Sequence, residues 1–331
     1  MHPLISIIIV NFNGMNHLKP CFESLGNLSY SNYEIILVDN NSTDNSVEYT
    51  SNNYPSVIIL KLDKNYGFAE ANNKGTRIAN GDYFLFLNND TKVDSNFLNE
   101  LVLSLDGNPK IGIAQSLLLK PNGEIDSSGD FIDNIGVVYN SKSKIQEIRE
   151  ISSAKGASMM VKRKVFESLN GFDSKFFAVF EDVDLCWRAW IMGYSVILVP
   201  SSIVIHTGGQ TIKHLHDEIM FHGIKNQIII KITNFESHLV LKNLLSFFLK
   251  YGIREAKIRL DYFSKGATSI TSTDYEDKIA VTHNPKIILK SFLWLLRNFN
   301  YLLNKHNNVN SKRRVSSKTL QEHKILSNII Q

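Results

Sequence analysis

The segment YFLFLNNDT (residues 83–91) joins a run that is apolar at every position to a turn of amides and a carboxylate. Two earlier segments repeat the pattern: LISIIIV (4–10) is followed by NFNG, and EIILV (34–38) is followed by DNNS. Continuously apolar runs are typical of strands buried on both faces, as in a parallel sheet. The sequence therefore predicts buried strands whose polar turns follow them directly.

Helical patterns alternate with these strands, which predicts a doubly wound, mostly parallel α/β sheet. Ser42 and Thr43 are expected to cap the second helix, because their hydroxyls can accept hydrogen bonds from its first amides. The expected strands are 4–10, 34–38, 57–62, 83–87, 111–119, 157–161 and 195–199. The expected helices in this part are 15–25, 43–51, 68–79, 164–169 and 183–192.

Strand patterns fade after about residue 210, where long apolar helices rich in lysine are expected over 214–231, 239–262 and 285–305. We therefore expect an α/β domain over 1–211, with halves that divide near residue 105, and a helical C-terminal region over 212–331.

Composition excludes several classes of protein. The chain has 331 residues, 43% hydrophobic and 21% charged, as in an ordinary globular protein. A net charge of +4 is too small to indicate nucleic-acid binding. Cys21 and Cys186 form no metal-binding or disulfide motif, which favours a reducing cytoplasm. We expect no secretion signal, and no uncharged run reaches the roughly 18 residues that span a bilayer.

Polar side chains follow four of the predicted strands. In an open α/β sheet, ligands bind outside the carboxyl ends of the strands, so a shared binding edge is expected here, with ordinary loop polarity as the alternative. The residues concerned are Asn11, Asn13, Asp39, Asn41, Asn65, Asn88, Asn89 and Asp90.

Asp90 is the candidate metal ligand, since a carboxylate flanked by amides offers the oxygen donors that Mg²⁺ or Mn²⁺ prefers. Its alternative role is an Asx-turn or a helix cap. His206 follows an apolar strand and is either a further metal or phosphate contact or an ordinary surface residue.

Three carboxylates stand within four residues in the run EDVD (181–184). Asp184 lies four residues before Arg188 on a predicted helix, so the two are expected to pair and to have a structural role. Glu181 and Asp182 remain available as a general base, and a capping cluster is the alternative.

Two shorter patterns are weaker. Gly67 precedes a helix, and a glycine there lets backbone approach a ligand, with the helix N-terminus facing a phosphate. Lys155 and Gly156 form a second candidate contact, for which tight packing is the alternative.

Taken together, these segments resemble glycosyltransferase family 2, in the order in which that family carries them. They are IIIVNFNG (7–14), ILVDNNSTDNS (36–46), NYGFAEANN (65–73), YFLFLNNDT (83–91), GASMMVKRKVFESLNGFD (156–173), FFAVFEDVDLCWRAWIMGY (176–194) and HTGGQT (206–211). The resemblance implies a GT-A fold. The NND and EDVDLCWR motifs, with a basic helical C-terminus, are most similar to bacterial rhamnosyltransferases of polysaccharide assembly.

The resemblance also implies roles for single residues. Asn11 and Asp39 match nucleoside contacts, and Asp182 matches the catalytic base. Asp90 matches the last position of the family's DXD motif, whose first two positions are Asn88 and Asn89 here, so the metal would have one strong carboxylate ligand. His206 matches a histidine near the metal and the diphosphate.

The expected reaction is inverting transfer of a sugar from a nucleotide-diphosphate donor to a glycan or lipid-linked saccharide. The resemblance favours dTDP-L-rhamnose, with a UDP-hexose or UDP-N-acetylhexosamine as the alternative. A non-catalytic binding module is a further alternative. A sugar-1-phosphate nucleotidyltransferase is disfavoured, because no basic residue follows the first strand before Lys19.

The C-terminal helices leave two interpretations open. They either pack on the catalytic domain or on a second subunit, or they lie peripherally on the inner face of the cytoplasmic membrane.

Overall fold

The computed structural model describes residues 2–208, 216–249 and 285–327. The chain divides into two compact units. The first is formed by Met1–Phe131 and Asn140–Gln210, and the second by Ile132–Tyr139 and Thr211–Gln331.

A ten-stranded mixed sheet forms the centre of the first unit, in the order β10-β12-β6-β11-β4-β1-β2-β3, with β5 paired to β12 and β7 to β6. The described strands of the whole chain, in this sheet and outside it, are β1 (Ile5–Asn11), β2 (Tyr33–Asp39), β3 (Ile58–Lys61), β4 (Tyr83–Leu87), β5 (Thr91–Val93), β6 (Ile111–Leu119), β7 (Ile125–Ser127), β8 (Asp130–Asp133), β9 (Val138–Asn140), β10 (Arg149–Glu150), β11 (Ser158–Lys162), β12 (Ser195–His206) and β13 (Leu326–Ser327).

The pairing of β4, β1, β2 and β3 is parallel throughout. Ile5, Ile7, Ile8 and Ile9 of β1 are fully buried, which confirms that this strand is covered on both faces. Because the strands run in one direction, their polar ends meet at one edge. We call the residues that follow β1, β2 and β4 the carboxyl edge.

The order of β11 in the sheet brings the two halves of this unit together. β11 runs antiparallel to both β4 and β6, with Ser158 opposite Leu87 at the end of β4. The loop before β11 therefore lies beside the carboxyl edge.

Five of the six described α-helices of the first unit lie where helices were predicted, and the helix over 97–106 was not predicted. The six helices are α1 (Met15–Leu25), α2 (Ser46–Asn53), α3 (Gly67–Ile78), α4 (Phe97–Asp106), α5 (Arg163–Ser168) and α6 (Glu181–Ile191). The prediction that Ser42 and Thr43 cap α2 is wrong, because the helix begins three residues later and Asn45 precedes it.

The last strand of the sheet is longer than predicted. It continues beyond Val199 to His206, and its pairing with β6 shifts register between Val199 and Ile203. Pro200 lies in this irregular stretch, where a missing amide hydrogen costs no ladder bond. The extension carries His206 to the carboxyl edge.

The second unit is mainly helical. Its described helices are α7 (His216–Thr233), α8 (237–249), α9 (Pro285–Arg297), α10 (Phe299–Ser311) and α11 (Ser317–Glu322). The single helix predicted over 285–305 is wrong, because it is broken at Asn298, whose side-chain amide bonds the carbonyl of Trp294 at 2.8 Å. The part of the predicted helix 239–262 beyond residue 249 lies outside the described residues.

Candidate active site

Asn11 ties three segments of the carboxyl edge together. Its amide donates to the Ser46 hydroxyl at 2.9 Å, and its carbonyl oxygen accepts from the Asn89 amide at 2.8 Å. A Cβ on Gly14 would lie 2.2 Å from the side-chain nitrogen of Asn89, so only glycine fits beside this contact. Asn11 is fully buried, and the nucleoside contact expected from its position is corrected to a structural role.

The loops after β1 and β2 are joined by a second set of hydrogen bonds. The side-chain oxygen of Asn13 accepts from the Thr43 amide at 2.7 Å, while the amide of Asn13 donates to the Ser42 hydroxyl at 3.0 Å. Both oxygens of the buried Asp39 accept from the Ser42 amide at 3.3 Å. Asn41 is exposed and has φ +67°, a left-handed conformation that Asn tolerates.

Asn40 organises the next loop, a role that the sequence analysis did not assign. Its buried side chain donates to the Asn65 oxygen at 2.9 Å and accepts from the Tyr66 amide at 2.8 Å. The same Asn65 oxygen accepts from the Gly67 amide at 2.8 Å. Asn65 therefore forms an Asx-turn that leads into α3.

Gly67 is required by packing and not by a ligand. It has φ +76°, and a Cβ there would lie 2.4 Å from the carbonyl oxygen of Phe177. The same oxygen accepts from the amides of Phe68 and Ala69 at 2.6 and 3.2 Å. These are the amides that the sequence analysis offered to a phosphate, so that interpretation of Gly67 and α3 is corrected.

The segment before α6 is conformationally strained. Phe177 has φ +63° and ψ −69°, and the Ala178 amide bonds the Phe176 carbonyl at 2.8 Å, which forms a γ-turn of the rare φ-positive type. Val179 and Phe180 are also left-handed, at φ +65° and +69°. Such conformations cost free energy and concentrate at functional sites, which draws attention to the residues that follow.

Asp182 lies directly after this segment, in the first turn of α6. One of its carboxylate oxygens accepts from the Gly156 amide at 3.0 Å, and the other from the Val183 amide at 2.8 Å. The side chain is partly exposed, so a ligand can reach it. A Cβ on Gly156 would lie 3.1 Å from the Phe68 ring, which supports the tight-packing interpretation of that glycine.

The loop before β11 connects Asp182 with the carboxyl edge. Gly156 bonds Asp182, and the carbonyl of the next residue, Ala157, accepts from the Asn88 amide at 3.1 Å. Asp90 follows Asn88 by two positions. Gly156 and Ala157 thus link, through one hydrogen bond each, the candidate base and the segment that carries the candidate metal ligand.

Glu181 was expected to be accessible beside Asp182, and this expectation is wrong. The residue is 6% exposed, and its Oε2 atom has no hydrogen-bond partner in the described part of the chain. Burial, reinforced by the charge of Asp182, raises the pKa of Glu181 well above its usual value. A buried carboxyl kept neutral cannot serve as the base.

Lys155 has a partner that sequence reasoning missed. Its ammonium lies 2.9 Å from a carboxylate oxygen of Asp130, which is fully buried, while a third of the lysine side chain is exposed. Burial raises the pKa of Asp130 to about 6, although the charge of Lys155 opposes this shift. Burial acts to lower the pKa of Lys155. The negative charges of Asp130 and Asp182 outweigh this effect of burial, so the pKa of Lys155 is raised overall. The ammonium therefore stays charged near Asp182.

His206 lies between two carboxylates. Its Nδ1 is 2.8 Å from an Asp126 carboxylate oxygen. Its Nε2 is 3.4 Å from an Asp90 carboxylate oxygen and 3.4 Å from the side-chain amide nitrogen of Asn88. Burial lowers the pKa of His206, but the hydrogen bonds and charges of Asp126 and Asp90 outweigh it and raise the pKa to about 9. Asp126 was not predicted, because nothing in the sequence connects two residues 80 positions apart.

Two polar groups, at the end of β12 and just after it, lie beside the Asp90 carboxylate. It lies beside His206, and its other oxygen accepts from the Gly208 amide at 3.1 Å. Burial raises the pKa of Asp90, but the hydrogen bond and charge of His206 outweigh it and bring the pKa below its usual value. Asp90 therefore presents an ionised carboxylate.

In the residues that the structure describes, no group of three or more His, Cys, Asp or Glu side chains is arranged to hold a metal ion. A divalent cation here would take one carboxylate, from Asp90, with water and a ligand's phosphates completing its shell. Mg²⁺ is commonly bound in this way, so the donor set fits such an ion. His206 would have to lose its proton before it could bind a metal.

The family model for glycosyl transferase family 2 matches residues 6–169, about half of the chain. The chain belongs to glycosyltransferase family 2.

Curated relatives of this family 2 chain act in glycan assembly. It is 30% identical over 220 residues to the O-antigen biosynthesis protein RfbC of Myxococcus xanthus, which covers 62% of the chain and 17% of that protein. It is 23% identical over 249 residues to the N-acetylglucosaminyl-diphospho-decaprenol L-rhamnosyltransferase of Mycobacterium tuberculosis, covering 65% of the chain and 81% of that protein. The chain thus spans less than a fifth of the first relative.

Solved structures confirm the predicted GT-A fold. The crystal structure of GalNAc-T7 with UDP, GalNAc and Mn²⁺ superposes with a TM-score of 0.53 at 18% identity, over 62% of this chain and 44% of that one. The mixed sheet, with its parallel half and helical C-terminal part, is the predicted architecture.

Glu181→Gln should make the protein more stable at neutral and alkaline pH. Because the pKa of Glu181 is raised in the folded state, the folded protein binds this proton more tightly than the unfolded chain does. Stability therefore falls as the pH rises from the unfolded pKa through the folded pKa, and glutamine removes that loss. Thermal unfolding of both proteins at about pH 4 and about pH 8 measures this loss of stability, because the lower pH is close to the pKa of a Glu in the unfolded chain, about 4.3.

The two proteins should unfold at similar temperatures at about pH 4, and the variant at a higher temperature at about pH 8. Glu167→Gln, at an exposed position on α5, is the control and should change stability by less than about 0.5 kcal/mol. A Glu181→Gln variant that is less stable than the parent at the higher pH would show that Glu181 is ionised and paired.

Proposed function

We propose that this chain is an inverting glycosyltransferase that moves a sugar from a nucleotide-diphosphate donor to a glycan or lipid-linked saccharide. The observation that carries the proposal is the position of Asp182. It is a partly exposed carboxylate fixed by two backbone amides and tied through Gly156 and Ala157 to the segment that bears Asp90. Membership of family 2 and the relatives in glycan assembly support it.

The donor is proposed to bind along the carboxyl edge. Asp39 is the candidate contact for the nucleobase of the donor. Asn13 lies in the loop after β1, and Asn41 in the loop after β2. Asn88 and Asn89 form the turn before Asp90, while the charged Lys155 lies near Asp182 and is suited to an anionic group. The buried Asn11 and Gly67 are proposed to support these loops, and the partly exposed Asn65 remains a candidate donor contact.

Asp90 is proposed to hold Mg²⁺ or Mn²⁺, with His206 beside it. The solved GalNAc-T7 structure contains Mn²⁺ together with UDP, which supports a divalent ion in this fold. When bound, such an ion neutralises the charge that develops on a departing diphosphate.

Asp182 acts as the general base. It accepts the proton of the acceptor hydroxyl while that oxygen attacks the anomeric carbon from the face opposite the diphosphate. The bond between the anomeric carbon and the diphosphate oxygen breaks, the nucleoside diphosphate leaves, and the configuration inverts. The hydrogen bonds from the Gly156 and Val183 amides hold the Asp182 carboxylate in place and orient it. Cys21 and Cys186 are buried, with pKa values raised to about 12, so neither serves as a nucleophile.

Asp182→Asn should lower transfer by roughly 10² to 10⁴ while donor binding persists, because the amide keeps the shape but cannot accept a proton. The measurement is release of nucleoside diphosphate in the presence of donor and acceptor. Glu181→Gln is the matched control and should keep near-parental turnover, since the residue is already neutral. Near-normal turnover of Asp182→Asn would refute this base.

Asp90→Asn should weaken binding of a nucleoside diphosphate in the presence of Mg²⁺ or Mn²⁺, and activity should be lost with a chelator. The expected loss is at least about tenfold, since outer contacts of a metal site alone account for that much. Titration calorimetry with and without metal measures it. Asp94→Asn, an exposed aspartate after β5, is the control. Full activity in excess chelator would contradict the metal proposal.

The favoured donor is dTDP-L-rhamnose, on the similarity of the motifs to rhamnosyltransferases and on one relative of that activity. A UDP-hexose or UDP-N-acetylhexosamine is the second candidate. In thermal-shift measurements, the true donor should stabilise the protein by about 2.7 kcal/mol at a hundredfold excess over its Kd. Stabilisation by a UDP-sugar and none by dTDP-rhamnose would reverse the assignment.

The same measurements separate the remaining classes. A binding module would bind donor without releasing nucleoside diphosphate, and a nucleotidyltransferase would release pyrophosphate. We place the reaction in the cytoplasm, in keeping with two free thiols.

A further inference from the structure

The outward face of α8 is apolar. Leu241, Leu245, Phe248 and Leu249 are exposed and recur at the spacing of one helix face. The buried side chains of this helix are Asn243 and Phe247. A helix that packs only against its own protein turns most of its leucines inward, whereas α8 exposes three of them.

The outward face of α9 continues this pattern. Leu289, Phe292, Leu293 and Leu296 are exposed on one side of the helix, and the ring centroids of Phe292 and Phe248 are 5.5 Å apart. Because those two rings touch, the faces of α8 and α9 form one surface, which we call the leucine face. Its leucines at 241, 245, 249, 289 and 296 are between 60% and 72% exposed.

Cations border the leucine face, and the described residues of α8 and α9 include no aspartate or glutamate. Lys242, Lys290 and Arg297 are exposed on the same two helices. Residues 237–249 and 285–321 contain no aspartate or glutamate, while 285–321 contain eight lysines and arginines. On α8 and α9 themselves, exposed leucines are therefore combined with cations alone, while Asp217 and Glu218 of α7 line a cavity beside Lys290.

We propose that the leucine face docks on an anionic lipid surface. Leucine and phenylalanine side chains enter the boundary between headgroups and acyl chains, and the flanking lysines and arginine contact anionic headgroups. No helix in the described ranges is long and apolar enough to cross a membrane, so the attachment is along the surface.

A second copy of the chain fits this surface less well. A twofold pairing would place the leucine face against itself, and the cations of the two copies would face each other with no carboxylate from the described parts of α8 and α9 to offset them. A lipid surface offers the opposite charge together with an apolar layer.

The test is flotation of the full-length protein with vesicles of phosphatidylglycerol and phosphatidylcholine, with no sugar nucleotide present, so the outcome is independent of the proposed reaction. We expect the protein to float with anionic vesicles at low ionic strength. It should remain at the bottom with pure phosphatidylcholine, and in about 1 M salt, where the Debye length is about 3 Å.

Two variants test the two parts of the surface. Leu245→Gln, Leu249→Gln, Leu289→Gln and Leu296→Gln together change only exposed side chains and should abolish flotation. Lys242→Glu, Lys290→Glu and Arg297→Glu together should lower binding at least about 100-fold, at about fivefold for each cation. Circular dichroism checks that both variants remain folded.

The controls are matched variants in the first unit. Leu103→Gln changes a leucine that is 71% exposed, and Lys110→Glu, Lys144→Glu and Lys164→Glu together reverse three exposed lysines. Both should float as the parent does. Failure of the parent to float at low ionic strength, or equal flotation of the four-leucine variant, would overturn the proposal. A dimer that the leucine variant abolishes, without vesicle binding, would assign the face to a second copy.

Discussion

The antiparallel pairing of β11 with β4 is the contact on which the candidate site depends. It sets Ser158 opposite Leu87, and the residues just before and after this pair then meet. Ala157 accepts from Asn88, and Gly156 donates to Asp182. Without this pairing, these two hydrogen bonds would not link the strand end that bears Asp90 to the helix that bears Asp182, which carry the proposed metal ligand and the proposed base.

The carboxyl edge is built mostly from amides, which explains how so many polar groups are buried there. An Asn side chain both donates and accepts, so Asn89 bonds Asn11, and Asn40 bonds Asn65, without adding charge. Charge is confined to a few places, where it is balanced: His206 lies between Asp126 and Asp90, and Lys155 beside Asp130. In the described residues the Oε2 atom of Glu181 has no hydrogen-bond partner, and burial raises the pKa of this carboxyl, which favours its neutral form.

The second unit distributes its lysines differently. Lys225 and Lys231 of α7 are buried, with their ammonium groups 4.6 Å from the centre of the Trp294 ring and 4.3 Å from that of Phe247. Aromatic faces attract cations more strongly where water is excluded. Leucines, meanwhile, lie outside. Cations inside and leucines outside together make the leucine face a surface of unusual composition for a helix exposed to water.

The sequence by itself determined seven of the described strands, most of the helices in the first unit and the pairing of Asp184 with Arg188, which the structure shows at 2.8 Å. These features depend on apolar periodicity and on neighbours a few residues apart, and both can be read along a chain. Only the tertiary structure decided the burial of Glu181, the supporting role of Asn11 and the partners of Lys155 and His206. Those properties arise from contacts between segments 25 to 118 positions apart in the chain, and a single sequence carries no local signal for which distant side chain will arrive there.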